Sequence, residues 1–247
     1  MYGAQGATPI AGYDCVLMNS RMMSKNSHEF RLLNITFRKL RPFVKKWREK
    51  VRLRKINEDV SRLLPALLTF DLKATDVVID LGANRGDFTI WSLNKGATVL
   101  SFEPHPEAFD YLAQRTARRR NVSRIQAAVS NKSKLTSIYV HPSAREDQLG
   151  FSIRASIKNK GDQFVPYSPS LVIDFEELIS NVGRVEILKV DIEGSELEIW
   201  PIIKKYQNAI TFLLIEVHDS MNPGLRADIE SFIQERKLSK FWTADWV

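Results

Sequence analysis

The chain has 247 residues, a net charge of +7 and a single cysteine, and its positive charge is concentrated in one short segment. Residues 31–55 carry eleven basic residues and one acid, whereas the other 222 residues carry 25 basic residues and 28 acids. A mildly acidic body with one basic segment is not the pattern of a protein that binds nucleic acid over its whole surface. Because Cys15 has no partner for an internal disulfide or a cysteine zinc cluster, we expect a reducing, cytoplasmic location.

The sequence predicts neither a membrane span nor a secretory signal. No apolar run approaches the roughly 18 residues that a membrane-spanning helix needs. The N-terminus lacks a basic stretch followed by an apolar one. Residues 1–28 are rich in Gly, Ser, Asn and Met without a clear period, and we expect them to be disordered.

Residues 29–72 are predicted to form a basic, amphipathic helical extension. Apolar residues from Leu33 to Val51 recur at spacings of four and three, as on one face of a helix, and Pro42 is expected to divide it. Three interpretations are open for the basic segment. Its apolar stripe packs on the domain and leaves a solvated face, or it lies on an anionic membrane, or it binds nucleic acid or a protein partner.

From residue 73 onward, short apolar strands alternate with helices, which predicts a parallel sheet covered by helices on both faces. Residues 141–170 are polar and are expected to form an irregular insertion over the substrate cleft. Strands are predicted at 77–80, 98–102, 124–129, 135–140, 185–191, 210–217 and 238–247. Helices are predicted at 88–93 and 106–119, from Asp174 to Gly183, from Ser195 onward, and from Asn222 to about Lys237. The third is expected to begin with a capping box at Asp174 and the fourth with one at Ser195–Glu198. Pro201 is expected to disturb the fourth helix.

A glycine-containing loop, Asp80-Leu-Gly82-Ala-Asn84-Arg-Gly86, joins the first of these strands to a helix. In open parallel sheets, ligands bind beyond the carboxyl ends of the strands, where a helix start favours an anionic group. Asp80 at the strand end can meet an ammonium group. Glu103, at the end of the second strand, can accept hydrogen bonds from both hydroxyls of a ribose. S-adenosylmethionine carries both groups, whereas the dinucleotide pattern Gly-x-Gly-x-x-Gly is not met.

Five sequence blocks then occur in a recognisable order. They are VVIDLGANRGDFT (77–89), SFEPHPEAF (101–109), LVIDFEEL (171–178), ILKVDIEGSELEIW (187–200) and LLIEVH (213–218). Together they resemble the FkbM family of S-adenosylmethionine-dependent methyltransferases. For residues 73–247 the resemblance implies an α/β class I methyltransferase (Rossmann-like) fold, a three-layer sandwich around a mostly parallel seven-stranded sheet. Only ten residues follow Lys237, so we expect the C-terminal hairpin to be incomplete.

The resemblance also implies a reaction and the roles of single residues. Family members commonly methylate hydroxyl oxygens of sugars, glycolipids or secondary metabolites. Glu103 would hold the ribose, and Asp191 would face the sulfonium and the substrate from the end of its strand. The methionine end of the cofactor would be lined by Asp80, Gly82, Asn84 and Gly86.

Methyl transfer to an alcohol needs alignment of the reactants and a group that accepts the hydroxyl proton. Four side chains follow the last two core strands in i, i+2 pairs, Asp191 with Glu193 and Glu216 with His218. We predict Asp191, Glu193 and His218 as the catalytic residues, although Asp191 could instead order a loop and His218 could only orient a carboxylate. All four could hold Mg²⁺, but their spacing does not require it, and no metal site is predicted.

Nucleic acid is disfavoured as the methyl acceptor. Enzymes that methylate exocyclic base amines resemble one another in an Asn/Asp-Pro-Pro-aromatic motif, whereas this chain has Asp-Ile-Glu-Gly at 191–194. Cytosine C5 methylation needs a cysteine in the sheet domain, whereas the single cysteine of this chain, Cys15, lies outside it. Paired carboxylates would also repel the phosphates of a nucleic acid. Methylation of RNA ribose stays open. We expect a small-molecule or carbohydrate acceptor. Four residues of the insertion either bind it or only pack within the insertion: Phe151, Arg154, Phe164 and Tyr167.

The alternative function is a non-catalytic methyltransferase fold that serves as an adaptor. In that interpretation residues 31–55 would bind an anionic membrane surface or a protein partner. The short C-terminus and the basic segment both favour it.

Overall fold

The computed structural model describes residues 71–140, 155–159, 161, 164–218 and 221–236. The predicted disorder of residues 1–28, the basic segment at 31–55 and the predicted last strand at 238–247 lie outside the described residues. Phe151 and Arg154 lie outside them as well. Among the helices of the described part, none combines the length and the apolar character that crossing a membrane requires.

The described chain alternates between strands and helices, largely as predicted. The strands are β1 (Val77–Leu81), β2 (Thr98–Phe102), β3 (Val122–Ile125), β4 (Ala128–Ser130), β5 (Lys134–Val140), β6 (Val165–Asp174), β7 (Val185–Val190) and β8 (Ile210–Ile215). The helices are α1 (Asp87–Lys95), α2 (Pro106–Thr116), α3 (Phe175–Val182), α4 (Glu196–Lys205) and α5 (Leu225–Arg236), with a 3₁₀ turn at Gln207–Ala209.

Five strands form the main sheet in the order β3-β2-β1-β7-β8, and every pairing in it is parallel. The order reverses at β1, which lies between β2 and β7. This is the Rossmann-like arrangement of class I methyltransferases, so the predicted fold class is confirmed. The described residues supply five of the seven expected strands, and the chain after Arg236 lies outside the described part.

The two faces of the main sheet carry separate apolar clusters, as the three-layer prediction requires. On one face Ile79 and Leu81 of β1 pack with Ile199 and Trp200 of α4. On the other face Val78 packs in a cluster with Trp91 of α1. Successive residues of a strand point to opposite faces, so Asp80 points to the same side as Val78. The edge that carries Asp80 is therefore built on a strand buried from both sides.

A second, smaller sheet was not predicted. The stretch 124–129, expected to be one strand, is divided: β3 stays in the main sheet, and β4 joins β6 and β5. β4 pairs with β6 in parallel, and β5 pairs with β6 in antiparallel register. The prediction of irregular structure at 141–170 was wrong for the segment from Val165 onward, which is the first half of β6.

Two prolines explain why this half of β6 was mistaken for a loop. Pro166 and Pro169 lie in a stretch that pairs with β5 on one side only, because β4 reaches no further than Val172. A proline lacks the N–H that a strand paired on both sides would need, so it is tolerated where one side is unpaired.

The helix starts agree with the prediction only in part. Asp174 caps α3 as expected, accepting hydrogen bonds from the backbone N–H groups of Glu176 and Glu177. The capping box predicted at Ser195 was wrong, because the buried Ser195 hydroxyl makes no hydrogen bond with any described residue. The exposed Pro201 does not interrupt α4. Helix α5 begins at Leu225, three residues later than predicted.

Candidate active site

The carboxyl ends of four parallel strands bring the predicted site residues to one edge of the main sheet. The glycine loop, residues 82–86, follows β1, and Glu103 comes directly after β2. Asp191 and Glu193 follow β7, and His218 follows β8. The edge thus carries the glycine loop and Glu103 on one side of the switch point, and a group of carboxylates with a histidine on the other.

Gly82 allows the glycine loop to lie directly against the end of β7. Its φ is +74°, and a Cβ placed on it would lie 1.8 Å from the carbonyl oxygen of Asp191. The N–H groups of Gly82 and Ala83 both donate to the carbonyl of Phe102, at 3.0 and 2.9 Å. Any side chain at residue 82 would therefore push the loop away from β7.

Gly86 has a packing role at the start of α1. A Cβ on it would lie 2.4 Å from Cδ1 of Leu112, so this glycine lets α1 start close to α2. Between the two glycines, Asn84 adopts a left-handed φ of +49°. Asparagine tolerates that region better than most residues do.

Glu103 is joined to the glycine loop. Its Oε2 accepts a hydrogen bond from the N–H of Asn84 at 2.7 Å, and its Oε1 accepts one from the N–H of His105 at 2.8 Å. The side chain is buried, and burial raises its pKa to about 7 against the opposing effect of these two N–H groups. Since each carboxylate oxygen has two lone pairs, Glu103 can accept two further hydrogen bonds, as a ribose would require.

His105 and Tyr167 form an aromatic pair beside Glu103. Their ring centroids lie 5.0 Å apart with an interplanar angle of 10°, and the Tyr167 hydroxyl donates to Glu107 at 2.8 Å. Burial lowers the pKa of His105, so its ring is neutral near pH 7. Its buried Nδ1 has no hydrogen-bond partner among the described residues, which fits a site that completes its contacts with a ligand.

Asp80 is fully buried and meets an ammonium group of its own chain. Thr89 donates to its Oδ2 at 2.6 Å, and Nζ of Lys189 lies 3.4 Å from its Oδ1. The same Nζ lies 3.3 Å from Oδ2 of Asp191 and donates to the carbonyl of Gly82 at 2.8 Å. Burial alone would lower the pKa of Lys189, but the carboxylates of Asp191 and Asp80 raise it above its usual value.

Glu196 organises the part of the edge formed by the residues after β7 and β8. This fully buried carboxylate accepts hydrogen bonds from the N–H groups of Ile192 and Gly194, at 3.2 and 2.9 Å, and from the amide of Asn222 at 2.6 Å. It also lies 2.9 Å from Nδ1 of His218. Burial alone would raise the pKa of Glu196, but its hydrogen bonds lower it, so the group is ionised.

His218 stands among carboxylates. Its Nε2 lies 3.6 Å from Oε2 of Glu193 and 3.9 Å from Oε1 of Glu216. Burial opposes protonation, but the bond to Glu196 and the neighbouring charges raise the pKa of His218 to about 9. Burial, together with the charges of Asp191 and Glu193, raises the pKa of Glu216 to about 7. At neutral pH the histidine is therefore an imidazolium.

The four acid–base candidates named from the sequence thus lie together. Asp191, Glu193 and His218 offer ligand atoms that all lie within 4.8 Å of one another, a geometry that could also hold a metal ion. The expectation that no metal is used stays a prediction.

Part of the insertion lies against the turn that carries Glu193. The hydroxyl of Ser156 donates to the carbonyl of Glu193 at 2.6 Å, and Ser156 exchanges two backbone hydrogen bonds with Tyr139 of β5. Lys158 forms an ion pair of 3.1 Å with Glu198 of α4. The described piece of the insertion therefore joins the second sheet to the turn after β7 and to α4.

Lys189, Glu196 and His105 belong to the site but were not among the residues predicted from the sequence. A signal existed for Lys189, which stands two residues before Asp191 on the same strand. His105 likewise follows Glu103 by two residues. Glu196 carried no local signal, because its partners come from three separate segments.

The chain is similar to known methyltransferases. Residues 80–238, more than half of the chain, match the family model described as the methyltransferase FkbM domain. The hexuronic acid methyltransferase AglP of Haloferax volcanii is 28% identical over 185 residues, which cover 74% of this chain and 70% of AglP. The 31-O-demethyl-FK506 methyltransferase FkbM of Streptomyces tacrolimicus is 26% identical over 187 residues, which cover 60% of this chain and 68% of that protein.

A solved structure with some likeness is that of a putative RNA methyltransferase from Pyrococcus horikoshii. It is 19% identical, the match covers 74% of this chain and 67% of that one, and the TM-score is 0.38.

Proposed function

Because the chain belongs to the FkbM family of methyltransferases, we propose that it transfers a methyl group from S-adenosylmethionine to a hydroxyl oxygen of a small-molecule or carbohydrate acceptor. One observation carries the choice of donor. Glu103 directly follows β2, is held to the glycine loop through the N–H of Asn84 at 2.7 Å, and keeps acceptor capacity for two ribose hydroxyls.

The donor would lie across the switch point at β1. Glu103 would hold its ribose, and the neutral His105 would offer its Nδ1 beside it. The backbone of Gly82, Asn84 and Gly86 would line the methionine end. Asp80 would act on that end through Lys189 and the loop rather than by contact, since its side chain is fully buried. When bound, the cofactor supplies the electrophilic methyl carbon, and the protein supplies alignment.

The acceptor would lie on the other side of the edge, against Asp191 and Glu193. An imidazolium with a pKa of about 9 is a poor proton acceptor at neutral pH, so His218 would balance the charge of the carboxylates and orient them. The hydroxyl proton would go to a carboxylate, with Asp191 and Glu193 placed to accept it. Glu216, whose pKa is about 7, stands next to them. General-base assistance of this kind contributes about 10²–10⁴-fold to a rate.

The names of the relatives support a hydroxylated acceptor. AglP is named for hexuronic acid and FkbM for a demethylated form of FK506, and the latter name states transfer to oxygen. For this chain we propose a hydroxyl of a sugar, glycolipid or secondary metabolite. The turn at Asp191, with two carboxylates and no proline or aromatic residue, favours such a hydroxyl over a nucleobase amine.

Calorimetry with S-adenosylhomocysteine tests the donor site. The wild-type protein should bind it, and Glu103→Gln should bind at least about tenfold more weakly, since losing a hydrogen bond to a charged group costs about 1.5–3 kcal/mol. Glu235→Gln on the outer surface of α5 is the matched control and should bind as the wild type does. A wild-type protein that binds no S-adenosylhomocysteine would refute the proposal.

A second experiment separates the enzyme from the adaptor alternative. Labelled S-adenosylmethionine is incubated with the protein and a panel of hydroxylated acceptors, including uronic acids and an extract of the source organism. Transfer of label to an oxygen in one of these acceptors supports the enzyme. Cofactor binding without transfer to any of them supports the non-catalytic module.

A further inference from the structure

A row of buried polar side chains crosses one face of the main sheet beside the glycine loop. Ser101 of β2 and Asp80 of β1 both bond the hydroxyl of Thr89, at 2.8 and 2.6 Å. Asp80 then faces Lys189 of β7, whose ammonium group reaches Asp191. This row of side chains therefore spans three adjacent strands and ends at Asp191, a predicted catalytic carboxylate.

The sheet register explains why these groups meet. Asp80 is paired directly with Lys189 in the parallel register of β1 and β7, and with Ser101 in that of β1 and β2. Side chains at paired positions of parallel strands point to the same face. The position of the lysine on β7 is thus tied to that of the aspartate on β1.

Lys189 does more than neutralise Asp80. Its Nζ lies 2.8 Å from the carbonyl of Gly82, 3.5 Å from that of Leu81, and 3.3 Å from Oδ2 of Asp191. The contact with Gly82 holds the glycine loop, the one with Leu81 holds the end of β1, and the third holds the carboxylate after β7. Gly82 lies directly against the Asp191 carbonyl, so a movement of the loop relative to the end of β7 would break this contact.

We propose that Lys189 is a positioning residue whose ammonium group fixes the glycine loop against Asp191 and thereby sets the distance between the donor pocket and the acceptor-side carboxylates. The inference rests on the proposed function, since it assigns the two sides of the edge to donor and acceptor. A lysine is suited to this role because one compact nitrogen with three donors can serve a carbonyl and two carboxylates at once.

The competing explanation is that Lys189 only compensates the buried charge of Asp80. Removing one partner of a buried ion pair leaves an uncompensated charge, whereas removing both together is often tolerated. The double variant Asp80→Asn, Lys189→Met therefore removes the need for compensation, and Asp80→Asn alone is its reference. Lys189→Arg keeps the positive charge but replaces the compact ammonium by a longer planar group.

Hydrogen exchange of the amides at residues 82–86 in the free protein gives a readout that needs neither cofactor nor activity. We expect exchange in the double variant to be at least about tenfold faster than in Asp80→Asn, with global unfolding similar in the two, as befits a loop that loses its anchor. Lys189→Arg should also exchange faster than the wild type. Lys205→Met, at the exposed end of α4, is the control and should match the wild type.

The same variants are then compared in S-adenosylhomocysteine affinity and in kcat and KM. We expect the double variant to bind about tenfold more weakly than Asp80→Asn and to lose kcat by more than its acceptor KM changes, because misplacement by about 1 Å costs on the order of 10²-fold. The proposal is overturned if the double variant matches Asp80→Asn in amide exchange and in S-adenosylhomocysteine affinity. It is also overturned if Lys189→Arg matches the wild type in both.

Failure of the proposed function would look different. In that case the wild-type protein binds no S-adenosylhomocysteine, while loop exchange still reports whether Lys189 holds residues 82–86. If the double variant does not fold, Lys189→Arg decides, because it retains the buried charge balance.

Discussion

Nδ1 of His218 lies 2.9 Å from Oε1 of the fully buried Glu196, and this contact joins the end of β8 to the start of α4. The same carboxylate holds the N–H groups of Ile192 and Gly194, which flank Glu193. Glu193 itself adopts a left-handed φ of +53°. One buried acid therefore shapes the turn that presents Glu193 and fixes the imidazole that faces it.

Glu196→Gln should lower the pKa of His218 from about 9 toward its usual value near 6.5. The amide oxygen can still accept the hydrogen bond from Nδ1, but the negative charge that favours the imidazolium is gone. Titration of the His218 ring protons by NMR measures the shift. Glu198→Gln, two residues along the same helix and bonded instead to Ser130 and Lys158, is the control. An unchanged titration of His218 in Glu196→Gln would show that the charge of Glu196 does not set it.

The raised pKa of His218 also predicts how stability depends on pH. Protonation is favoured in the folded state, so the contribution of His218 to the free energy of unfolding is complete below about pH 6.5 and is lost as the pH rises through about 9. The difference between wild type and His218→Gln in denaturant-induced unfolding should therefore shrink between these pH values. A difference that stays constant or grows over this range would contradict the assignment.

Glu103 should make cofactor affinity depend on pH. Burial raises its pKa to about 7, and only the ionised carboxylate offers all its lone pairs to ribose hydroxyls. The affinity for S-adenosylhomocysteine in wild type should therefore rise as the pH rises through about 7. In Glu103→Gln this rise should disappear, while the affinity stays low at every pH. Calorimetry from pH 5.5 to 8.5 measures both curves, and parallel curves would mean that another group titrates.

The sequence was sufficient to locate the edge of the sheet that carries the site. Short apolar runs mark β1, β2, β7 and β8, and residues that follow parallel strands meet at one edge. The polar residues directly after these runs, among them Glu103, Asp191 and His218, were therefore predictable without knowing any contact.

The contacts that organise these residues could not be predicted in the same way. Lys189 meets Asp80 only through the register of β1 with β7, which no local pattern specifies. Glu196 was not singled out, because it lies inside the stretch Ser195–Glu198, which was predicted as a capping box. Its real partners come from the end of β8 and from Asn222. The second sheet was missed because the prolines of β6 are acceptable only where β4 does not pair with it.

Tyr167 offers a test of whether the second sheet contributes to cofactor binding. Tyr167→Phe removes the hydrogen bond to Glu107 but keeps the stack on His105, whereas Tyr167→Ala removes both. We expect the phenylalanine variant to bind S-adenosylhomocysteine within about threefold of wild type and the alanine variant about tenfold more weakly, since a stacked aromatic pair contributes about 0.5–1.5 kcal/mol. Equal affinity in all three proteins would place the cofactor away from this pair.

Gly82 and Gly224 form a matched pair for testing the contact between the glycine loop and β7. Both have a left-handed φ, +74° and +82°, but a Cβ on Gly82 would overlap the Asp191 carbonyl, whereas one on Gly224 would meet nothing within 4 Å. Gly224→Ala should cost about 1–2 kcal/mol of unfolding free energy, the ordinary cost of that backbone region. Gly82→Ala should cost clearly more and should abolish S-adenosylhomocysteine binding, because the loop must move away from Asp191. Equal losses of stability in the two variants would show that the left-handed backbone conformation alone explains why residue 82 is a glycine.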